Sequence, residues 1–319
     1  MRKSLAALAV TLGACFGAFA AYPTKTVTVV VPFPPGGSTD MVGRVLAQKM
    51  GEKLGGTFIV ENKAGATGAI GAAAVKNAPA DGYTLLVSSL AVFVVNPHLQ
   101  KSLAYDPSRD FDLLSVAVQA PNVLVVNPAL PVNNMADVIA YLKKNPGKST
   151  FASSGAGSSD HLTAEFFWQE TGTSAIHVPY KGGAPAIQDV IAGHADFSFQ
   201  NINAVLPQIQ GGKLKALGIT SAKRSPLLPN VPTLSESGIK NAEIYSWQAV
   251  AAPKGLPADV KARLHGAIVE SLKDPAVAKK MTDLGFEIVA NTPEQFSRFQ
   301  AQELARWKKV IETGKIEAN

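Results

Sequence analysis

The chain has 319 residues, of which 46% are hydrophobic and 17% charged, and its formal net charge is +6. This length is ample for two domains with substantial cores, and the modest positive charge, without basic runs interleaved with aromatic residues, argues against nucleic acid as a partner. Cys15 is the only cysteine, which excludes an internal disulfide framework, a cysteine nucleophile and a thiolate metal site in the rest of the chain.

Residues 1–20 have the pattern of a secretory signal peptide. A basic start precedes an apolar segment over residues 5–19, and Ala18-Phe19-Ala20 forms a small-x-small cleavage site. Leu12-Gly13-Ala14-Cys15 also resembles a lipoprotein box, which leaves a lipid anchor at the cysteine as the alternative. Both interpretations predict an exported protein.

The segment Thr26–Asp40 predicts a buried strand, a glycine-rich turn and the start of a helix. Its first six residues are β-branched, as in a central strand, and prolines then end the strand. Gly36 and Gly37 would let a ligand approach the backbone, and Ser38 or Thr39 is expected to cap the helix. The amides and dipole of such a helix start favour an anion, held without Lys or Arg because this turn contains neither. A turn that merely connects a strand to a helix is the alternative.

The same arrangement recurs twice further along the chain. A short strand leads into Ser153–Ser159, which is rich in glycine and serine and precedes a helix. Ile176–Tyr180 is followed by Lys181-Gly182-Gly183 and another helix. If two such loops lie at the carboxyl edges of two facing sheets, they form the two sides of a ligand cleft.

Strands and helices alternate as far as Ser88, which predicts a parallel sheet. Ligands bind at the carboxyl ends of such strands, so Ser88 is either a ligand residue or a helix cap. The glycine spacing in Gly65–Gly71 does not match a dinucleotide-binding loop and predicts a small-residue helix packed on the sheet. Phe111–Val126 is a long apolar run that breaks at Gln119–Asn122, interpreted as one strand leaving the first domain and another entering a second.

The C-terminal part is expected to return to the first domain. Ser225–Gly238 has the composition of a connector, and Glu243–Ala251 predicts a strand that rejoins the first sheet. Three helices should follow, and the last begins with a capping box at Thr292-Pro293-Glu294-Gln295.

Several short motifs together carry a family resemblance. They are Val31-Pro-Phe-Pro-Pro-Gly-Gly-Ser-Thr-Asp40, Glu61-Asn-Lys-Ala-Gly65, Ala80-Asp-Gly-Tyr83, Val178-Pro-Tyr-Lys-Gly-Gly183 and Val231-Pro-Thr-Leu-Ser-Glu-Ser-Gly238. In this order and with the exported start, they resemble the Bug-type periplasmic receptors of tripartite tricarboxylate transporter systems. The resemblance extends over essentially all of residues 22–319.

The resemblance implies an α/β, two-lobed periplasmic binding protein of the Venus flytrap type, each lobe a mostly parallel sheet flanked by helices. Residues 21–120 and 236–319 would form lobe 1, and residues 121–235 would form lobe 2. It further implies a periplasmic monomer without cofactor, metal or catalytic residues. Such a receptor binds a small carboxylate between its lobes and delivers it to the membrane subunits of the transporter.

In that family, loop amides, hydroxyls and water hold the ligand carboxylate. The residues expected to bind the ligand are Phe33, Gly36, Gly37, Ser38, Thr39, Asp40, Ser88, Ser153, Gly155, Gly157, Ser158, His161, Tyr180, Gly182, Ala184 and Asp196. Asp40 also suits the positive end of the helix dipole or a hydrogen bond to its own loop. Phe33 and Tyr180 equally suit core packing.

Other functions fit the sequence less well. Ser158 and His161 suggest a nucleophile and a base, but their surroundings lack the G-x-S-x-G elbow of a hydrolase. The five histidines lack the spacing of a zinc site. An exported module that feeds a signalling partner would use the same fold, and a non-carboxylate ligand such as an amide also stays open.

Overall fold

The computed structural model describes residues 22–317. The predicted signal peptide, its cleavage site and Cys15 lie outside these residues. Within residues 22–317, every helix is too short or too polar to cross a membrane.

The described part of the chain alternates between strands and helices. The strands are β1 (Val27–Val31), β2 (Phe58–Asn62), β3 (Thr84–Ser89), β4 (Phe111–Val126), β5 (Thr150–Ser153), β6 (Ile176–Pro179), β7 (Phe197–Asn201), β8 (Lys215–Ile219), β9 (Tyr245–Pro253) and β10 (Glu287–Ile288). The helices are α1 (Ser38–Leu54), α2 (Ala69–Lys76), α3 (Asn96–Leu99), α4 (Met135–Lys144), α5 (Ser159–Thr171), α6 (Gly183–Ala192), α7 (Ile202–Gln210), α8 (Ala258–Lys273), α9 (Pro275–Asp283) and α10 (Pro293–Gly314).

The first lobe is built on β1, which runs parallel to β2 on one side and to β3 on the other. β9 rejoins this sheet next to β3, as predicted for the segment after residue 243, but it runs antiparallel. It also pairs antiparallel with β4, and β10 pairs antiparallel with β4. The expectation of a mostly parallel sheet is therefore wrong for the inner strands. The chain leaves the lobe along β4 and returns along β9, and this outgoing and returning pair is antiparallel.

β4 passes through both lobes as one continuous strand of 16 residues. It pairs with β9 as far as Pro121, and from Asn122 onwards it pairs with β7. The predicted break into two strands at residues 119–122 is wrong. Pro121 has no backbone N–H to donate, but it lies where the strand changes partners, so the ladder continues past it.

The second lobe repeats the plan of the first. β5 lies between β6 and β7 and is parallel to both, whereas β7 and β8 each pair antiparallel with β4. In each lobe a glycine-rich loop therefore follows a strand of the parallel part and leads into a helix, α1 after β1 and α5 after β5. The boundaries at residues 120/121 and 235/236 stay a prediction.

The three predicted C-terminal helices are confirmed as α8, α9 and α10. Thr292 and Gln295 form both hydrogen bonds of the capping box at the start of α10. The Gln300 amide donates to the carbonyl of Phe93 in the first lobe, and the Gln169 amide of the second lobe donates to the carbonyl of Val310. The last helix therefore contacts both lobes.

Candidate ligand-binding cleft

The first-lobe loop comprises residues 32–37, between β1 and α1. Gly37 is the N-cap of α1, and no side chain caps this helix. The prediction that Ser38 or Thr39 is the cap is wrong. The Ser38 hydroxyl instead accepts a hydrogen bond of 2.9 Å from the Asn203 amide of the other lobe. The first N–H groups of α1 thus have no side-chain acceptor in the described chain, and such groups bind anions.

Asp40 holds the first-lobe loop in shape. Its Oδ2 atom accepts from the Gly36 N–H and from Arg44 Nε, both at 2.9 Å, and its Oδ1 atom accepts from Asn62 Nδ2 at 2.8 Å. Asn62 also donates to the carbonyl of Phe33. Burial acts to raise the pKa of Asp40, but the bonds from Arg44, Gly36 and Asn62 outweigh it and lower the pKa below its usual value. The loop-bonding interpretation of Asp40 is confirmed, and its charge is already neutralised by Arg44.

The segment Gly68–Gly71, which consists mostly of small residues, packs closely against the first-lobe loop. A Cβ atom on Gly71 would lie 2.7 Å from Pro32 Cβ, and one on Gly68 would lie 3.2 Å from the Phe33 ring. The prediction of a closely packed small-residue helix after Gly65 is confirmed by α2. Phe33 packs against this segment and is half-buried.

The second-lobe loop comprises residues 153–158, between β5 and α5, and Asp160 organises it. One carboxylate oxygen of Asp160 accepts from the Ser154 N–H at 2.6 Å, from the Ser154 hydroxyl at 2.7 Å and from the Gln200 amide at 3.0 Å. Ser158 caps α5 by accepting from the His161 N–H, and its hydroxyl donates to the carbonyl of Gly155. Both loops therefore use an aspartate in the first helical turn to bind a loop amide.

His161 and His177 lie beneath the second-lobe loop. Their rings stack with centroids 3.8 Å apart. His161 Nδ1 accepts from the Gly157 N–H at 3.1 Å, and His177 Nε2 lies 2.6 Å from the Ser153 hydroxyl. Burial, followed by the neighbouring His161, lowers the pKa of His177 to about 4. His161 Nδ1 is therefore an acceptor that fixes the backbone of the second-lobe loop.

The third loop, between β6 and α6, lies alongside the second-lobe loop. The N–H groups of Tyr180 and Gly182 donate to the carbonyls of Ser153 and Ser154. Gly182 is the N-cap of α6 with φ 110°, and no side chain caps this helix either. Ala184 follows in the exposed first turn.

The Tyr180 side chain has a partner within the protein. Its hydroxyl donates to Asp189 at 2.5 Å. This bond, with a smaller effect of burial, raises the pKa of Tyr180 to about 12. Tyr180 is therefore a neutral part of the loop at physiological pH.

The two lobes meet around these loops. Ser38 and Asn203 are joined by the hydrogen bond between α1 and α7. Gly157 of the second-lobe loop packs so closely on the first lobe that a Cβ atom there would lie 2.5 Å from Leu99 and 3.3 Å from Val95. The uncapped start of α1 and the loop before α5 thus lie at the same junction between the lobes.

Two of the sixteen predicted residues, Ser88 and Asp196, do not lie on the loops described above. Asp196 accepts from the N–H and hydroxyl of Thr150, at the amino end of β5, whereas the second-lobe loop follows the carboxyl end of that strand. The structure therefore places the Asp196 carboxylate on Thr150, at the end of β5 away from the second-lobe loop. Ser88 is fully buried, pairs with Ala249, and its hydroxyl has no partner among the described residues.

Several residues that shape the cleft were not singled out in the sequence. They are Arg44, Asn62, Asp160, His177, Gln200 and Asn203. An aspartate in the first turn after a glycine-rich loop is a usable signal for Asp160. The others lie on different strands and helices. Asn62 reaches the first-lobe loop because β2 pairs with β1, and His177 and Gln200 reach the second because β6 and β7 flank β5; no local pattern specifies these pairings. No cluster of three or more metal-binding side chains occurs within residues 22–317.

Known proteins of similar sequence point to a single family. A family model described as "Tripartite tricarboxylate transporter family receptor" matches residues 42–316. The chain belongs to this family. The Bordetella pertussis protein BugT is 40% identical to this tripartite tricarboxylate transporter receptor over 295 residues, covering 92% of this chain and 90% of BugT.

Two solved structures superpose on most of this chain. An R. palustris protein solved with adipate has a TM-score of 0.86 and 35% identity, covering 93% of this chain and all of that one. MatC from Rhodopseudomonas palustris, solved with bound malate, has a TM-score of 0.81 and 30% identity, covering 91% of this chain and all of MatC. The predicted family and the two-lobed α/β binding-protein fold are both confirmed.

Proposed function

We propose that this protein is an extracytoplasmic receptor that binds a small carboxylate between its lobes and delivers it to the membrane subunits of a tripartite transporter. The observation that carries the proposal is the uncapped N-terminus of α1, which faces the second lobe at the point where the Ser38–Asn203 hydrogen bond joins the lobes. The positive end of a helix dipole and free N–H groups form an anion site that needs no charged side chain.

The strength of such a site is sufficient for a transport receptor. Hydrogen bonds from backbone amides and hydroxyls to a carboxylate contribute roughly 1.5–3 kcal/mol each. Three or four of them, after the cost of association, support a dissociation constant on the order of micromolar. Asp40 and Asp160 fix the two loops before the ligand arrives, which lowers the ordering cost of binding.

Ligand contacts made by both lobes favour the closed form over the open one. A ligand shifts this equilibrium by its difference in affinity for the two forms. The membrane subunits would then recognise the closed form. The relatives solved with adipate and with malate support a carboxylate as the ligand class.

The contacts of Ser158 and His161 favour a receptor over a hydrolase. The Ser158 hydroxyl donates to the carbonyl of Gly155, and His161 Nδ1 accepts from the Gly157 amide. A serine nucleophile needs its hydroxyl proton directed at a base. Here both side chains hold the loop, and the bond between them runs from the His161 backbone to the Ser158 oxygen.

A thermal-shift screen tests the proposal. The protein is unfolded, refolded to remove any carried ligand, and screened against di- and tricarboxylates, aromatic carboxylates and acidic amino acids, with the matching amides as controls. A ligand at about a hundred times its dissociation constant adds ~2.7 kcal/mol of stability, which for a chain of this length is a rise in Tm of roughly 4–5 °C. If no carboxylate raised the Tm of the folded protein, the proposed function would be refuted. If only the amides raised it, the ligand would be an amide rather than a carboxylate.

A further inference from the structure

The segment of residues 64–70, which joins β2 to α2, presents apolar side chains to solvent. It contains no charged residue. Ile70 is 57% exposed, more than any other large hydrophobic side chain within residues 22–317, and Ala64, Ala66 and Thr67 are exposed as well. An exposed apolar patch of this kind commonly marks the place where another protein binds.

The backbone of the 64–70 segment is strained. Ala66 and Thr67 have φ angles of 46° and 52°. This left-handed region suits glycine and is unfavourable for a β-branched residue such as Thr67. Strained conformations persist only where neighbouring residues hold them, and they cluster at functional sites. The strain therefore points to a function that depends on the shape of this segment.

Two side-chain amides at α3 hold the strained residues in place. Asn96, which is 1% exposed, donates to the carbonyl of Thr67 at 3.0 Å. Gln100, the C-cap of α3, donates to the carbonyl of Ala66, also at 3.0 Å. Because a carbonyl can only accept, these bonds fix which end of each amide faces the segment.

Ile70 takes its position from the same segment. A Cβ atom on Gly65 would lie 2.5 Å from Ile70 Cδ1, so the isoleucine packs directly on this glycine. The Gly68 N–H donates to the carbonyl of Gly65, and a Cβ atom on Gly68 would lie 3.2 Å from the ring of Phe33. Ile70 therefore lies beside the first-lobe ligand loop, and a change in the backbone of the segment would move it.

The helix that holds the segment is also in contact with the second lobe. A Cβ atom on Gly157 would lie 2.5 Å from Leu99 of α3 and 3.3 Å from Val95, which directly precedes α3. This contact requires the two lobes to be together. Closure of the lobes thus packs the second-lobe loop against the same short helix whose amides hold the strained backbone, and α3 links closure to the 64–70 segment.

Resting on the proposed function, we infer that the 64–70 segment is the surface through which the closed receptor binds an apolar patch on a membrane subunit of its transporter. The segment offers no charge for an ionic partner, so the complementary surface must be apolar. Its link to the junction of the lobes suits a partner that has to distinguish the ligand-bound receptor from the empty one. A second copy of this chain would have no such requirement.

Uptake by the bacterium that encodes this chain tests the inference. The chromosomal gene is replaced by each variant, and uptake of the radiolabelled carboxylate identified by the screen is measured per amount of exported receptor. Ile70→Ser should leave the Tm within about 2 °C of the wild type and the dissociation constant of the carboxylate unchanged. Its uptake should fall at least about fivefold, because an apolar anchor of the interface is lost.

Ile176→Ser is the matched control. Ile176 is 48% exposed and is the first residue of β6, where it pairs with Thr150 at the end of β5 away from the second-lobe loop. Its uptake should equal that of the wild type. Normal uptake by Ile70→Ser, or an equal loss in Ile176→Ser, would overturn the inference and leave the proposed function intact. If the wild type bound no carboxylate, both would be overturned.

Hydrogen exchange tests the link to closure separately. The exchange rate of the Gly68 amide should fall at least about threefold when the carboxylate is added to the wild type. The Leu99→Ala variant removes the side chain on which Gly157 packs, so the same addition should change the rate by less. An unchanged rate in the wild type, or an equal change in both proteins, would overturn the closure-dependent surface.

Discussion

Replacing Asp160 by Asn removes the charge that anchors the second-lobe loop and leaves its size unchanged. The side chain is 3% exposed, and one of its oxygens accepts three hydrogen bonds, two of them from Ser154. A bond to a charged acceptor is worth about 1 kcal/mol more than one to a neutral acceptor, and the carboxylate also favours the α5 dipole by roughly 0.3–1 kcal/mol. We therefore expect a loss of about 2–4 kcal/mol in the free energy of unfolding.

The same change should weaken ligand binding, because the loop that faces the first lobe loses its fixed conformation. We expect a fall in Tm of roughly 3–6 °C, measured by differential scanning fluorimetry. We also expect the dissociation constant of the best carboxylate found in the screen to rise at least about tenfold, measured by isothermal titration calorimetry at a temperature where the variant is folded.

Asp196→Asn is the matched control. Its carboxylate accepts two bonds from Thr150 at the opposite end of β5, so it should lose about 1–2 kcal/mol of stability without any change in affinity. If both variants bound the ligand as tightly as the wild type, or if Asp196→Asn weakened binding more than Asp160→Asn, the assignment of the second-lobe loop to the ligand site would be refuted.

Three further predictions concern the loops. The pKa of His177 falls from about 6.5 in the unfolded chain to about 4 in the folded protein. Because the folded protein disfavours protonated His177, the stability that depends on this ring is complete above about pH 6.5 and is lost as the pH falls through 4. For this half-buried ring we expect the free energy of unfolding to fall by about 1–2 kcal/mol between pH 7 and 5. Urea unfolding of His177→Gln should show a flatter pH dependence over that range. Asp40→Ala, which leaves the Gly36 amide and the Arg44 guanidinium without their shared acceptor, should cost about 2–4 kcal/mol and weaken carboxylate binding; an unchanged affinity would show that the first-lobe loop does not need this anchor. Ser158→Ala should cost about 1 kcal/mol through loss of the α5 cap, with no esterase activity to lose in the wild type; measurable turnover that disappears in the variant would contradict the receptor assignment.

The sequence allows the order of elements and both loops to be predicted because these depend on local physics. The β-branched run of β1, the prolines after it and the glycines before α1 are all contained in one short segment. The capping box of α10 is likewise local, and it forms as predicted. Loop positions such as Gly37 and Gly157 follow from the same signals.

The parts that could not be predicted depend on which strands become neighbours. Pro121 reads locally as a strand end, yet β4 continues because its partner changes at that point. Local preference predicts that a hydroxyl side chain caps α1, but the Ser38 hydroxyl instead accepts a hydrogen bond from Asn203 of the other lobe. Asp196 resembles other loop aspartates in sequence and differs only in the end of the strand at which it lies.

The central claim is that the N–H groups at the start of α1 bind the ligand carboxylate, and Gly37→Ala tests it most directly. Gly37 has φ −80°, which alanine adopts without strain, and a Cβ atom there would meet no other atom within 4 Å. The variant should therefore fold with a stability within about 0.5 kcal/mol of the wild type, while it adds a methyl group at the N-cap, next to the amides. The control is Gly266→Ala on α8, where a Cβ atom also meets nothing within 4 Å and where alanine should only strengthen the helix.

Isothermal titration calorimetry with the carboxylate identified by the screen then compares the three proteins. We predict a dissociation constant at least about tenfold higher for Gly37→Ala and an unchanged value for Gly266→Ala. Wild-type affinity in a folded Gly37→Ala protein would contradict the account, because a ligand held by these amides should be disturbed by a methyl group at the N-cap.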